Sequence, residues 1–148
     1  MFTAADVAKL REETGAGMMD AKRAMTEAGG DVAKAIEILK AQGQLKADKK
    51  GERETGAGHL ETYIHGGRVG VLLEVRAETD FVTRSEPFRE FAKDLALQIA
   101  AAAPETVDDL MKQPFIKDDT MTIENLLKAT IAKVGENMKI VRFARYTV

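Results

Sequence analysis

The side chains able to carry covalent chemistry are few. Ser85 is the sole serine, His59 and His65 are the only histidines, and cysteine is absent. A Ser-His-acid site needs an activated serine, whereas Ser85 stands before Glu86-Pro87-Phe88 and an apolar helical pattern, the position of a helix cap. The two histidines fall in a strand-like stretch, roughly 20 Å apart at about 3.3 Å per residue, too far to share a metal ion. Without cysteine there is no disulfide framework, no thiolate metal site and no thiol nucleophile. Gly51 and Gly56 have P-loop spacing, but Ala57-Gly58 follows where Lys and Ser or Thr belong, and Gly15-Ala16-Gly17 follows a helix instead of a strand. Neither segment cradles a phosphate. No cofactor and no metal are expected.

Stepping outward from these residues, the composition is that of one ordinary globular domain, or one with a small satellite: 148 residues, 45% apolar and 31% charged. A net charge of -2 offers no basic field for nucleic acid and no acidic block that would enforce disorder. The N-terminal stretch lacks an apolar signal core. The longest apolar run, Leu95 to Ala103, is broken by Gln98 and stops at Pro104, so a cytoplasmic protein without a membrane anchor is expected.

Three units follow from the pattern. Residues 1–43 read as a three-helix binding module. Thr3 and Asp6 form a capping box, Val7 and Leu10 share one face, and Gly15 ends the first helix. Ala21, Ala24, Met25 and Ala28 stripe the second, and Asp31 caps a third that buries Val32, Ala35, Ile36 and Leu39 before Gly43 closes it. Residues 44–58 read as a polar linker in which Lys46, Lys49, Lys50 and Arg53 mingle with Asp48, Glu52 and Glu54. Residues 59–148 read as an α/β core. Two strands flank a Gly66-Gly67 turn, with Val69, Val71, Leu73, Val75 and Ala77 on one face. A helix follows Ser85, the polar stretch to Asp119 is connection, Thr122 caps a last helix that stops at Gly135, and Lys139 to Val148 alternates as a third strand. The expected fold class is α+β, a helical module followed by three antiparallel strands with helices packed on one face.

Between the second strand and the helix after Ser85 lies Thr79-Asp80-Phe81-Val82, an acid beside a large aromatic at the end of a sheet. Two readings stand side by side. Phe81 packs as a hydrophobic staple with Asp80 or Thr83 as cap, or it protrudes as a wedge whose ring enters a partner pocket while the carboxylate orients it.

At this point the chain resembles a known family. LREETGAGMMDAKRAM from Leu10 to Met25, TDFV from Thr79 to Val82, QPFIKDD from Gln113 to Asp119 and IAKVGENMKIVRF from Ile131 to Phe143 are similar to ordered segments of bacterial elongation factor Ts. That family consists of guanine nucleotide exchange factors for elongation factor Tu, and four motifs spread over nearly the whole chain are far more specific than one. The resemblance implies a module like ubiquitin-associated domains. It implies docking on the GTPase domain through Arg11, Met18 and Met19, although these methionines also suit a small helical core, one inward and one outward. It implies that Thr79 to Val82, with Asp80 and Phe81 foremost, reach the nucleotide-binding region. A single core, where longer relatives have two, implies a homodimer. Val141, Phe143 and Tyr146 on the last strand offer it apolar surface. The segment from Glu105 to Gln113 looks abbreviated beside the family, and the Gly66-Gly67 turn looks tighter. The competing expectation is an RNA-binding or ribosome-associated protein that uses Lys46, Lys49, Lys50, Arg142 and Arg145. A third is a relative that binds without promoting exchange.

Overall fold

Local signals at the N-terminus are obeyed closely in the computed structural model, which describes residues 1–148. Helix α1 (Ala4–Thr14) opens on the expected capping box. Asp6 N–H donates to Thr3 Oγ1, and Thr3 N–H donates to the Asp6 carboxylate at 2.7 Å. Gly15 ends it at φ 70°, a left-handed conformation that costs glycine little. Helix α2 (Met18–Glu27) and helix α3 (Val32–Lys50), capped by Asp31, close the bundle over Val7, Leu10, Ala21, Ala24, Met25, Ala35 and Leu39.

The expected stop at Gly43 does not occur. Helix α3 continues to Lys50, so residues 44–50 of the anticipated linker are helical and only the stretch from Gly51 to Gly56 remains irregular before the next strand. Tertiary packing is the reason. A Cβ at Gly43 would lie 3.2 Å from the Cβ of Ala132, so the bare backbone lets α3 approach the last helix closely. One turn on, Ala47 is buried in the core of the second unit and Asp48 pairs with Lys128 at 3.0 Å. Glycine inside a helix costs about 1 kcal/mol relative to alanine, a penalty that contacts along a whole helix face readily offset.

The core sheet is antiparallel in the order β1 (Ala57–His65), β2 (Val69–Ala77), β5 (Met138–Thr147). Strands β1 and β2 are joined through Gly66 and Gly67, both at positive φ, with Arg68 N–H on the His65 carbonyl at 3.0 Å. Val71, Leu73, Val75 and Ala77 are buried on the inner face as their alternation requires. Helix α4 (Asp80–Thr83) is a single turn, followed by α5 (Glu86–Ala102), whose Phe88, Phe91, Leu95 and Ile99 are buried beneath the sheet. Ser85 sits at the N-cap position of α5 without capping it. Its hydroxyl donates backwards to the Val82 carbonyl at 2.6 Å.

The polar stretch read as plain connection contains helix α6 (Val107–Lys112) and a small hairpin, β3 (Pro114–Phe115) with β4 (Asp118–Thr122). These elements are too short for periodicity to reveal. They are organised by Gln98, a buried amide on α5 that donates to the Gln113 side chain and the Pro114 carbonyl and accepts from Ile116 N–H at 2.9 Å. Helix α7 (Ile123–Val134), capped by Thr122 and ended by Gly135, leads into β5 (Met138–Thr147). No helix is long and apolar enough to cross a membrane.

On β5 the expected grouping of Val141, Phe143 and Tyr146 breaks down. Phe143 pairs with Leu73 on the inner face and packs on the core, whereas Tyr146 pairs with Gly70 on the outer face, since an odd separation along a strand changes sides. Val141 lies beside a β-bulge opposite Glu74 and Val75. The exposed apolar residues of the outer face are Leu60, Ile64, Leu72 and Tyr146. Among them Glu74 accepts from Arg76 and Arg142, each at 2.8 Å.

Those two guanidinium hydrogen bonds, Arg76 first, hold the Glu74 carboxyl below its ordinary range against the opposing effect of desolvation. A carboxyl depressed in the folded state adds stability above its unfolded pKa and loses it as pH falls through the folded value. Urea unfolding of Glu74→Gln should therefore show a deficit relative to the parent at pH 7 that shrinks as pH drops below about 4.5, the ordinary range of a glutamate.

Candidate functional site

Strand β2 delivers the chain to Thr79 in an extended conformation at φ -132°, and the backbone then turns sharply into α4. Thr79 is the N-cap, its hydroxyl oxygen accepting Val82 N–H at 3.4 Å. The hydroxyl and the backbone amide of Thr79 both donate to one carboxylate, that of Glu136, at 2.8 and 3.0 Å. The far end of the turn is held from within. Val82 and Thr83 are buried, the Thr83 hydroxyl donates to the Asp80 carbonyl at 3.1 Å, and Arg89 Nε donates to the Thr83 carbonyl at 2.7 Å.

With Val82 and Thr83 turned inward, the helical rotation of about 100° per residue carries Asp80 and Phe81 to the opposite side. Phe81 is 85% exposed, and the Asp80 carboxylate forms neither an ion pair nor a hydrogen bond. The staple reading is thus not how this ring sits, and the cap is Thr79 instead of Asp80 or Thr83. A phenyl ring held almost wholly in water forgoes about 2 kcal/mol of burial. It stands beside an unpaired acid on a turn fixed at both ends.

A second layer of polar contacts lies behind this turn. Glu78 accepts Asn137 N–H at 2.8 Å and pairs with Arg53 at 3.5 Å. The buried Asn137 amide donates to the carbonyls of Arg53 at 2.7 Å and Gly51 at 3.3 Å. The turn between α7 and β5 therefore joins the exit of α3 to the start of the site. Sequence reasoning missed Glu78, Glu136 and Asn137 as positioning groups. A charged residue after a helix-ending glycine looks like any solvated turn, and its partner lies 57 positions away.

The N-terminal candidates belong to different elements. Arg11, in the last turn of α1, donates from Nε to the Ala16 carbonyl at 3.3 Å. Met18 and Met19 open α2 and are 47% and 67% exposed; neither joins the helical core, whose buried methionine is Met25. The expectation that one of the pair points inward is corrected, because α2 buries Ala21, Ala24 and Met25 and its first turn lies beyond that stripe. Arg11, Met18 and Met19 thus flank the α1–α2 turn, on elements other than the α4 turn that carries Asp80 and Phe81.

No three His, Cys, Asp or Glu side chains converge as a metal site would need. Both histidines are already engaged, His59 with Glu61 and the edge of Phe88, His65 with the Tyr63 hydroxyl, at 2.9 Å for each polar contact.

The Elongation factor TS family model matches residues 78–148, from Glu78 behind the site to the C-terminal strand. Over most of the chain the sequence is similar to elongation factor Ts of Rubrobacter xylanophilus, 43% identical and covering 95% of both proteins. It is 42% identical to elongation factor Ts of Carboxydothermus hydrogenoformans, covering 99% of this chain and 88% of that one. It also matches the chloroplastic polyprotein of EF-Ts from Oryza sativa subsp. indica at 39% identity, spanning 17% of that much longer protein. The chain belongs to the elongation factor Ts family, one of the elongation factor families of protein biosynthesis. An alignment of 192 positions with the Carboxydothermus protein exceeds the 148 residues of this chain, so that relative carries segments lacking here.

Because Phe81 is exposed and Phe88 is not, the two rings should respond oppositely to truncation. Phe81→Ala should change the folding free energy by no more than about 0.5 kcal/mol, as surface changes do, whereas Phe88→Ala should cost about 3–5 kcal/mol. Chemical denaturation of both variants beside the parent checks the pair.

Proposed function

We propose that this chain is a guanine nucleotide exchange factor that promotes GDP release from elongation factor Tu during translation elongation, acting in the cytoplasm as a homodimer. The observation that carries the reading is the exposed Phe81 ring beside the free Asp80 carboxylate on a turn fixed at both ends. Family membership supports it.

In this reading the module docks through Arg11, Met18 and Met19, whose flexible thioethers suit an apolar patch on the GTPase domain. The turn Thr79 to Val82 meets the nucleotide-binding region, with Phe81 entering between partner side chains. GDP is held there through phosphate contacts to backbone donors and through Mg²⁺ that belongs to the partner's site. A ring inserted into that region stabilises the nucleotide-free conformation over the GDP-bound one. By linkage, factor and nucleotide then weaken each other's binding by the same ratio. No bond in the factor is made or broken, so the protein is an exchange factor and not an enzyme, and no cofactor of its own is required.

The RNA-binding alternative is weaker on the geometry. Arg142 is held by Glu74, Arg145 donates to the Ala100 carbonyl at 3.0 Å, and Lys46 pairs with Asp20 at 2.9 Å. Three of the five cations it needs are thus engaged within the fold. For the homodimer, the outer sheet face bearing Leu60, Ile64, Leu72 and Tyr146 replaces the Val141, Phe143 and Tyr146 grouping as the contact. It is continuous across three strands and has no covering element in the monomer.

Release of labelled GDP from elongation factor Tu should accelerate saturably with this protein, and Phe81→Ala should slow it by about tenfold or more, equivalent to about 1.4 kcal/mol of lost exchange-complex stabilisation. Binding without acceleration would identify a docking relative that has lost exchange. Sedimentation at tens of micromolar should give an apparent mass near twice 16.2 kDa, and Leu72→Lys should shift it to the monomer.

A further inference from the structure

We propose that Glu136 is a positioning residue for exchange, acting through Thr79 to fix the direction in which Asp80 and Phe81 project; the proposal rests on the exchange reading above. One carboxylate takes both donors of a single residue, the Thr79 hydroxyl at 2.8 Å and its amide at 3.0 Å. Hydrogen bonds to an ionised acceptor are stronger than neutral ones, and two from one residue fix an orientation as well as a distance. Thr79 is also the N-cap of α4, its hydroxyl oxygen accepting Val82 N–H at 3.4 Å, so the rotamer that Glu136 holds is the one that caps the turn to Asp80 and Phe81.

Beyond the anchoring of Glu78 by Asn137 and Arg53 one residue earlier, Glu136 is the side chain from another element that holds Thr79 itself. Thr79, Asp80 and Phe81 are exposed, while inward anchoring begins only at Val82 and Thr83. Glu136 itself is fixed by its neighbours. Gly135 ends α7 at φ 79°, and Asn137 is pinned by Glu78 and by the carbonyls of Gly51 and Arg53. Its carboxylate makes no contact with a cation. Its two hydrogen bonds go to the residue that starts the wedge.

The test is stimulated GDP release from elongation factor Tu with the full chain. Glu136→Gln keeps the shape but removes the charge and leaves a single oxygen to accept where the carboxylate offers two. It should lower the saturating release rate by about tenfold, the scale on which small misplacements act, while the half-saturating concentration moves less than about twofold. In a Phe81→Ala background the same substitution should add less than about twofold, because a residue that acts through the ring has nothing left to position. If Glu136→Gln does not fold, Thr79→Val, which drops the hydroxyl, and Thr79→Ser, which keeps both donors, replace it; the valine variant should lose more rate than the serine variant, and only where Phe81 is present. Losses that add fully to that of Phe81→Ala, or an unchanged rate in Glu136→Gln, overturn the positioning role. A parent protein that does not accelerate release overturns the exchange reading itself.

Discussion

The missing side chain at Gly43 is the constraint on which the arrangement depends. It lets α3 lie against α7 at Ala132, where an added Cβ would stand 3.2 Å from the Ala132 Cβ and the two helices would have to give by a few tenths of an ångström. Ala47 then enters the core and Asp48 reaches Lys128. The end of α3 arrives where the Gly51 and Arg53 carbonyls meet the Asn137 amide. From that turn Asn137 N–H engages Glu78, and Glu136 takes both donors of Thr79. A contact between two small residues is thereby linked through continuous packing and hydrogen bonds to the exposed turn at Phe81. The helical module is consequently not a tethered satellite but is seated on the core.

Such seating matters for a protein proposed to act by binding. If the two proposed docking surfaces act together, packing of α3 on α7 would limit the ordering entropy lost on association. The site shows the same economy of motion. Val82 and Thr83 are sunk in the core while the adjacent Phe81 is 85% exposed, and the change from buried to exposed occurs within one helical turn. An apolar ring kept in water by rigid anchors is a cost to the monomer that a partner pocket would recover.

The outer sheet face poses a related problem. The helices cover only the inner side of β1, β2 and β5, leaving Leu60, Ile64, Leu72 and Tyr146 in solvent. Glu74 is paired with two arginines, so this polar cluster beside the apolar residues carries a net positive charge. A face that is apolar at its middle and polar at one end suits association with a defined orientation, in keeping with the proposed homodimer.

By itself the sequence determined whatever depends on neighbours along the chain. Thr3 with Asp6, Asp31 and Thr122 cap their helices, Gly15 and Gly135 end theirs, Gly66-Gly67 turns the hairpin, and alternation puts Val71, Leu73 and Val75 inside. These are interactions within a few residues, where residue type and spacing are sufficient. The segment carrying Asp80 and Phe81 stands out as a local pattern, an acid beside an aromatic between a strand and a helix, but that pattern alone leaves the ring inward or outward. Tertiary structure alone decided that Gly43 extends a helix instead of ending it, since the compensating surface belongs to Ala132. It decided that Phe143 and Tyr146 part company across the sheet, that Gln98 organises a hairpin after α6, and that Glu136 reaches Thr79. Each of these depends on a partner brought near by packing of the whole chain, and a hydrogen bond across 57 positions leaves no trace in local periodicity.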